Sequence, residues 1–383
     1  MGASGEAASE IVEALEFGTR INKIVSAISH PGPSKADAFL AVCRNGIGWE
    51  DIYYLTGFSG TSGALVITGN DSRLFVDARY VGAAEESRVY ANVSSLPGTC
   101  ATPLGAAIEY IENARASRVA FGGSDLSLTL YREISRAFDG YRLADLSGVL
   151  AGMRRRKSKY EIGCIIEAIR IASDAFAATA AKCGPGMTER QFASRLEFEI
   201  AEHGGYAVAC PMVVSGARTA MPHASPSEKK FERGDMVVVD FCVRRLGYVC
   251  DITRMMSLGE AEEKVRKLYS VLRWAQEEAA AMLGHGRTAR EADGAARGVM
   301  EGAGLGHEFT HGLGHGIGLA VHEAPSVSGK SKAVLAEGDV VTLEPGFYRP
   351  GDMGMRVEDD YLVTKTGAEK LSGIFDPDIV VVG

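Results

Sequence analysis

The chain has 383 residues, of which 46% are hydrophobic and 23% charged, with 46 Gly and 12 Pro. This balance is that of an ordinary globular protein, and it excludes a fibrous or disordered chain. A net charge of −8 repels phosphate backbones, so we expect no nucleic acid partner. At roughly 100 to 200 residues per domain, the length predicts two or three domains.

The cysteines and the apolar runs indicate that the chain is neither a disulfide-rich secreted protein nor a membrane protein. Seven cysteines are scattered and never spaced as Cys-x-x-Cys, which indicates neither a disulfide framework nor a zinc knuckle. The first 17 residues carry four Glu and no basic residue, unlike the start of a secretory leader. Because no apolar run approaches the roughly 20 residues of a membrane span, we expect a cytoplasmic protein with no membrane partner.

Short β-rich runs alternate with a helical stretch in the first half. The candidate strands are Phe39 to Val42, Ala64 to Thr68, Arg73 to Asp77 and Val119 to Phe121, and Pro103 to Asn113 is a candidate helix. Strands interleaved with helices predict an α/β domain over residues 18–152, ahead of a second domain over residues 153–383. The basic run at this junction, Arg154 to Lys157 with Lys159, is more typical of a solvated face than of a nucleic-acid site.

The second half contains several helix starts. Three pairs have the spacing of a capping box: Ser158 with Glu161, Thr188 with Gln191, and Thr288 with Glu291. In such a pair each side chain accepts a hydrogen bond from the other residue's backbone amide, so the pair predicts a helix beginning there. We also predict a long helix over residues 258–282. Together with the apolar strands described next, these helices make the second domain α+β.

Two apolar runs in the second half each contain an acid. Asp240 lies in Met-Val-Val-Val-Asp-Phe-Cys-Val, and Asp251 follows 11 residues later in Tyr-Val-Cys-Asp-Ile, after a Leu246-Gly247 turn. A lone buried carboxylate is strongly unfavourable. Two carboxylates brought together on adjacent strands would both stay protonated unless a cation lay between them. The pair therefore points to a metal ion.

Two further acids and a group of histidines extend the pattern. Glu344 ends the apolar run Val-Val-Thr-Leu-Glu, Glu358 is embedded in Met-Arg-Val-Glu, and the Gly-rich segment between the two acid pairs holds His311, His315 and His322. Any one such acid is more often an ion-paired residue than a ligand, but four of them beside histidines favour a joint function. This oxygen-rich set suits two divalent ions such as Mn²⁺, Co²⁺ or Fe²⁺, with Zn²⁺ possible, and two-metal hydrolysis.

On these residues the second half resembles the pita-bread metallopeptidase family, which includes methionine aminopeptidase, aminopeptidase P and prolidase. The resemblance is carried by Asp240 and Asp251 with Thr253-Arg254, His315 in Gly-His-Gly-Ile-Gly, His322-Glu323, Glu344-Pro-Gly and Arg356-Val-Glu358-Asp359. The first half, with Tyr-Leu-Thr-Gly-Phe at Tyr54 and Asp-Ala-Arg-Tyr at Asp77, is similar to the creatinase-type amino-terminal domain. The resemblance implies a creatinase-like α/β domain followed by a pita-bread α+β catalytic domain, in the proline-directed branch.

The resemblance also implies a ligand set for two divalent metal ions per subunit, with Mn²⁺ as the first expectation. Asp240 would chelate one ion, Asp251 and Glu358 would bridge both, and His315 and Glu344 would complete the second. The remaining roles fall on catalytic and substrate residues. Glu344 would handle the proton, His223 and His322 would contact the substrate and its developing charge, His311 would line the pocket of the leaving proline, and Arg356 would steady a bridging carboxylate beside the substrate.

Three positions depart from the family pattern. Cys242 stands where Gly is common, and Cys250 stands where Ser is usual. Many dipeptidases of the family carry, four residues after the second histidine, an Arg that binds the carboxylate of a dipeptide, but this chain has Ser326 there, with Lys330 as a second candidate for the contact. The missing Arg leaves longer Xaa-Pro peptides open as substrates.

The resemblance leaves competing functions. Creatinase-like hydrolases act on non-peptide substrates without metal, and some members of the fold are non-catalytic binding modules; both characteristically lose metal ligands, and all five are present here. Other members keep the metal but hydrolyse non-peptide amides or act as lyases, and this alternative stays open. We therefore expect a dinuclear metal-dependent Xaa-Pro aminopeptidase or dipeptidase, a homodimer by family analogy, acting on small peptides with proline in the second position.

Overall fold

The computed structural model describes residues 3–30, 32, 35–87, 89–98, 100–122, 126–139 and 142–383, without the side chains of residues 3–14 and 142. The chain forms two compact units that divide between Arg154 and Arg155.

The first unit is built on a six-stranded mixed sheet with the strand order β4-β3-β2-β1-β5-β6. Its strands are β1 (Ala38–Arg44), β2 (Ser62–Thr68), β3 (Ser72–Val76), β4 (Asn92–Ser95), β5 (Arg118–Phe121) and β6 (Arg142–Asp145). Its helices are α1 (Ala3–Ser29), α2 (Trp49–Thr56), α3 (Val81–Glu86), α4 (Pro103–Asn113), α5 (Leu128–Ala137) and α6 (Ser147–Arg155), the last ending one residue past the division. The four predicted strands and the predicted helix are confirmed, each to within two residues.

The second unit begins with a helix pair and later adds a second pair. These helices are α7 (Lys159–Ala180), α8 (Glu189–Glu202), α9 (Glu263–Ala281) and α10 (Ala289–Gly302). The capping box at the start of α7 is confirmed: Glu161 N donates to Ser158 Oγ at 3.3 Å, and Ser158 N donates to the Glu161 carboxylate at 2.9 Å. Reciprocal boxes also open α8 and α10.

The strands of the second unit form two five-stranded sheets and a hairpin. They are β7 (Tyr206–Ala207), β8 (Met212–Ser215), β9 (Met236–Arg245), β10 (Tyr248–Leu258), β11 (Gly314–Gly316), β12 (Glu323–Val327), β13 (Val340–Leu343), β14 (Gly346–Tyr348), β15 (Gly354–Arg356), β16 (Asp359–Val363), β17 (Ala368–Lys370) and β18 (Val380–Val382). One sheet has the order β18-β10-β9-β7 with β8 also on β9, the other has the order β12-β11-β13-β16-β17, and β14 pairs with β15. The expected α+β architecture is confirmed.

The prediction of a helix from residue 258 is wrong at its start. Leu258 ends β10, and α9 begins only at Glu263. All 11 residues of β10 are buried, and the strand pairs with β9 along one edge and with β18 along the other. A strand buried on both faces has no polar alternation, so its apolar end is hard to separate by sequence from a following helix.

The prediction of a solvated basic run is wrong for three of its five residues, since Arg154 and Arg155 are only partly exposed and each pairs with an acid. Arg156 and Lys159 are exposed, but Lys157 is buried and its Nζ lies 3.2 Å from Glu323 Oε2. The sequence could not reveal this pairing, because the two residues are 166 positions apart.

The pairing of β9 with β10 determines how the first two acids are placed. The strands are antiparallel, with Asp240 opposite Thr253 and Asp251 opposite Cys242. Asp240 and Asp251 are therefore diagonal neighbours, which point to the same face of the sheet. The predicted adjacency of their strands is confirmed.

Candidate metal centre

The carboxylate of Asp251 lies in a nearly dry environment. Its side chain is 8% exposed, and its Oδ1 accepts a hydrogen bond from the Cys242 thiol at 3.1 Å. Burial, followed by the charge of Asp240, raises the pKa of Asp251 to about 7. With this pKa the carboxyl is only partly ionised at neutral pH, and a nearby cation would favour its charged form.

His315 is brought to this acid by β11. Its Nε2 atom lies 3.8 Å from Asp251 Oδ2 and 3.5 Å from Glu344 Oε1. Its backbone amide donates to Thr342 Oγ1 at 3.1 Å, which ties β11 to β13. Burial lowers the pKa of His315 to about 4, so the ring is neutral at pH 7 and has a lone pair to offer a metal ion.

Glu358 lies directly before β16, a strand of the sheet that also contains β11. It forms an isolated bridge with Thr253, and its Oε2 accepts a hydrogen bond from Thr253 Oγ1 at 2.7 Å. Burial and then the charge of Asp251 raise the pKa of Glu358 well above its usual range. Ligand atoms of Asp251, His315 and Glu358 all lie within 4.8 Å of one another, close enough for a shared metal ion.

These carboxylates fit a divalent cation electrostatically. Burial also raises the pKa of Glu344 to about 8, even though the charge of Arg356 lowers it. The same guanidinium lowers the pKa of Asp251 and Glu358 without restoring the usual values. Further positive charge at this point would stabilise all three ionised forms. Oxygen ligands with one imidazole suit Mn²⁺, Co²⁺, Fe²⁺ or Zn²⁺.

Arg356 connects several of the predicted ligands. Its side chain is 3% exposed, and its Nη2 donates to Asp240 Oδ2. Its Nε donates to Thr253 Oγ1 at 3.1 Å, and that hydroxyl in turn donates to Glu358. Its Nη1 donates to the Tyr348 hydroxyl at 2.6 Å. The guanidinium thus orients Asp240 directly and Glu358 through a threonine.

The three other predicted histidines lie around this centre in different environments. His311 is half-buried with its Nε2 3.0 Å from the Tyr348 hydroxyl, and burial lowers its pKa to about 4. His322 is exposed, with its ring centroid 4.3 Å from that of His315. His223 is also exposed and lines a cavity of about 250 Å³ together with Asp240 and Cys242.

Two hydroxyls at the centre were not predicted as functional residues. Tyr348 contacts both His311 and Arg356, and Thr342 accepts from the His315 amide. The only sequence feature that could have pointed to Tyr348 is its position four residues after Glu344.

The two residues considered for contact with a substrate carboxylate are both exposed. Ser326 lies opposite His315 in the pairing of β11 with β12, and Lys330 is also exposed.

No helix in the described part of the chain combines the length and apolar character that a bilayer span requires.

Comparison with known families matches both units. Residues 163–365 match the metallopeptidase family M24, and residues 22–156 match the creatinase/prolidase N-terminal domain. A Xaa-Pro dipeptidase from Pyrococcus horikoshii is 34% identical over 353 residues, which cover 91% of this chain and 96% of that protein. A Xaa-Pro dipeptidase from Pyrococcus furiosus is 33% identical, over 84% of this chain and 90% of that protein.

Solved structures support the same family assignment. An X-Pro aminopeptidase from Thermotoga maritima superposes with a TM-score of 0.88 at 32% identity, covering 94% of this chain and 99% of that chain. A prolidase from Pyrococcus furiosus superposes with a TM-score of 0.79 at 30% identity, covering 89% of this chain and 97% of that chain. The chain therefore belongs to metallopeptidase family M24, with a creatinase-type amino-terminal domain ahead of a pita-bread peptidase domain.

Proposed function

We propose that the chain is a dinuclear metal-dependent Xaa-Pro peptidase that hydrolyses the bond between an N-terminal residue and proline. The observation that supports this most is the meeting of Asp251, His315 and Glu358 within 4.8 Å, beside two further acids. The relatives named Xaa-Pro dipeptidase and X-Pro aminopeptidase support the substrate class.

Five residues hold the metal in this proposal. Asp240, Asp251, His315, Glu344 and Glu358 would hold the two ions through their carboxylate and imidazole groups. Mn²⁺ is the proposed native ion. When bound, the two ions supply Lewis-acid activation of the attacking water and of the peptide carbonyl.

The remaining residues act on the substrate and its protons. Glu344 accepts the proton of the attacking water and passes it towards the leaving nitrogen of proline. His322 and His223, both exposed, contact the peptide and the charge that develops on its carbonyl. His311 lies against Tyr348, where its neutral ring lines the pocket for proline. Arg356 holds Asp240 and Thr253 in place beside this pocket.

We further propose that the enzyme accepts Xaa-Pro peptides longer than a dipeptide. Ser326 lies opposite His315, in the position where many dipeptidases of the family carry an Arg. A serine cannot form the bidentate ion pair that an Arg makes with a terminal carboxylate, so the site makes no strong demand for a carboxylate directly after proline.

We also propose the domain bounds, the cellular location and the oligomeric state of the enzyme. The amino-terminal domain spans residues 18–152, the catalytic domain spans residues 153–383, and the enzyme is a cytoplasmic homodimer. Light scattering on the purified protein tests the dimer, since a mass of one chain, 40.7 kDa, would contradict it.

Peptide hydrolysis tests the function. Metal-stripped protein is assayed with Mn²⁺, Co²⁺ or Zn²⁺ restored, on Xaa-Pro dipeptides, Xaa-Pro-Xaa tripeptides, proline-free peptides of equal length, and creatine. We expect metal-dependent release of the first residue from both proline sets only. Cleavage of dipeptides alone would indicate a strict dipeptidase, and activity on creatine alone would contradict a peptidase. Failure to bind any of the three ions would favour a binding module.

A further inference from the structure

Lys157 lies between the two matched family regions, which end at residue 156 and begin again at residue 163. Its side chain is 1% exposed and its Nζ lies 3.2 Å from Glu323 Oε2, while the Glu323 side chain is 6% exposed. A buried ion pair of this kind is rarely gained for stability alone, because removing both charges from water costs about as much as their attraction returns.

Glu323 holds the loop that precedes it. Its Oε1 accepts hydrogen bonds from the backbone amides of Leu319 at 3.0 Å and Ala320 at 3.2 Å. The carboxylate also packs tightly against Gly318, where an added Cβ would lie 2.5 Å from Oε2. The loop is anchored from its other side by the amide of Val249, which donates to the Gly318 carbonyl at 2.8 Å. The loop at residues 317–322 therefore takes its shape around the Glu323 carboxylate.

This loop presents His322. The histidine directly precedes Glu323, which begins β12 and pairs with Gly316 of β11. The His322 ring is exposed towards solvent and lies 4.3 Å from the ring of His315. A shift of the Glu323 carboxylate would therefore move His322 relative to the metal centre.

Lys157 is itself fixed by the backbone. Its amide donates to the Gly338 carbonyl at 2.8 Å. Gly338 has a φ of +90°, and a Cβ placed on it would lie closer than 3.5 Å to backbone atoms of Lys157. This contact lies just before β13, the strand that leads to Glu344. The ammonium thus extends from a rigid point towards the loop.

We propose that Lys157 is a positioning residue for His322. Its ammonium balances the charge of Glu323, so that the carboxylate stays buried and keeps its bonds to Leu319 and Ala320. Without the ammonium, the carboxylate turns towards water, releases these amides and displaces His322. This inference rests on the proposed catalytic role of His322.

Steady-state kinetics of Lys157→Met test the inference, with Lys159→Met as the matched control because Lys159 is an exposed lysine of the same run. Because small misplacements of a catalytic group can cost about 100-fold, we expect kcat of Lys157→Met on an Xaa-Pro tripeptide to fall by about that factor. We expect KM and bound Mn²⁺ to change little. Lys157→Arg, which keeps a cation, is expected to restore most of kcat, and Lys159→Met is expected to behave as wild type.

A second readout follows the loop itself. Hydrogen exchange at the amides of Leu319 and Ala320 is expected to be faster in Lys157→Met than in wild type and Lys159→Met. Unchanged exchange would overturn the inference. If Lys157→Met does not fold, Glu323→Gln takes its place, because it removes the charge that the ammonium balances and is expected to lower kcat in the same way.

The His322→Ala background separates positioning from general damage. If Lys157 acts through His322, Lys157→Met causes no further loss of kcat once His322 is gone, whereas multiplied losses would overturn the inference. If Lys157→Met keeps the wild-type kcat while His322→Ala has a low kcat, the inference about Lys157 is overturned and the proposed role of His322 stands. A wild-type kcat for His322→Ala would remove both the inference and the proposed role of His322, and peptide cleavage by the unaltered enzyme would still test the proposed function separately.

Discussion

Single carboxylates at the centre have conflicting requirements. Burial favours the neutral acid at Asp251 and Glu344, with pKa values of about 7 and about 8, while metal binding requires the ionised form. Arg356 supplies part of the compensating charge, since its guanidinium lowers the pKa of both acids. The metal-free protein is therefore electrostatically strained around neutral pH, and its stability must respond to pH and metal together.

This strain predicts the pH dependence of the metal-free protein. Acids whose pKa is raised by folding stabilise the protein below their unfolded pKa, near 4, and that contribution is lost as pH rises through the folded pKa. We expect the unfolding temperature of metal-free protein to fall between pH 7 and 8.5, and added Mn²⁺ to oppose the fall. His315 and His311, with pKa values of about 4, are neutral throughout and add little slope.

Thermal unfolding with and without chelator measures this. Asp251→Asn removes one of the two acids and is expected to flatten the slope. An unfolding temperature that stays level or rises over this range in metal-free wild type would be inconsistent with the electrostatic description of the site.

Thr253 is a second residue-scale test. Its hydroxyl donates to Glu358 at 2.7 Å and accepts from Arg356 at 3.1 Å, so it orients a proposed bridging ligand. Removing such a partner typically costs about 10- to 100-fold in metal affinity or activity. We expect Thr253→Val to weaken Mn²⁺ binding by about that factor in calorimetry. Thr179→Val, at a buried threonine of α7, is the control, and equal affinities in the two variants would refute the orienting role.

At the scale of elements, β11 is placed by close backbone packing. A Cβ at Gly314 would collide with the Thr342 carbonyl oxygen of β13, and one at Gly316 would collide with the Ala324 carbonyl oxygen of β12. Glycine on either side of His315 therefore lets three strands approach one another at the metal centre. The Gly-His-Gly pattern is as much a packing requirement as a ligand motif.

Gly314→Ala tests this requirement. The added methyl group pushes β11 from β13, and because His315 moves with the strand we expect Mn²⁺ affinity to fall by about 10-fold or more. Gly298→Ala is the control, since a Cβ at Gly298 in α10 meets nothing within 4 Å and alanine favours a helix. Titration with Mn²⁺ compares them, and wild-type affinity in Gly314→Ala would show that β11 can shift without consequence.

Local signals in the sequence were sufficient for many elements. The capping boxes at Ser158 and Thr188 depend on residues three apart, and their helices were predicted. The end of β10 and the burial of Lys157 depend on partners far along the chain, and both were misread. The distinction is physical, because propensity and capping act within a few residues whereas burial is decided by tertiary contacts.

The residues of the candidate site were likewise predictable from local sequence only where the sequence itself was unusual. Acids in apolar strands stand out because burial makes them costly, so Asp240, Asp251, Glu344 and Glu358 were recognised together. The hydroxyls of Tyr348 and Thr342 were missed, because a tyrosine or threonine in a buried strand is ordinary and its hydrogen bonds depend on the fold.

For the whole molecule, both units match known families, but only the second unit contains the proposed metal ligands. Both match their families, at residues 22–156 and 163–365, and the relatives match along most of their own length. All five proposed metal ligands, however, belong to the second unit. The proposed dinuclear centre therefore belongs to that unit, with five proposed ligands from β9, β10, β11 and the segments flanking β14, β15 and β16.

The number of Mn²⁺ ions bound by the metal-stripped protein tests this claim most directly. Calorimetric titration of the full chain, checked by metal analysis after gel filtration, is expected to give two Mn²⁺ per chain, and Asp251→Asn is expected to retain fewer because it lacks a bridging ligand. A wild-type chain that binds no more than one Mn²⁺, or an Asp251→Asn variant that binds two with unchanged affinity, would contradict the dinuclear centre.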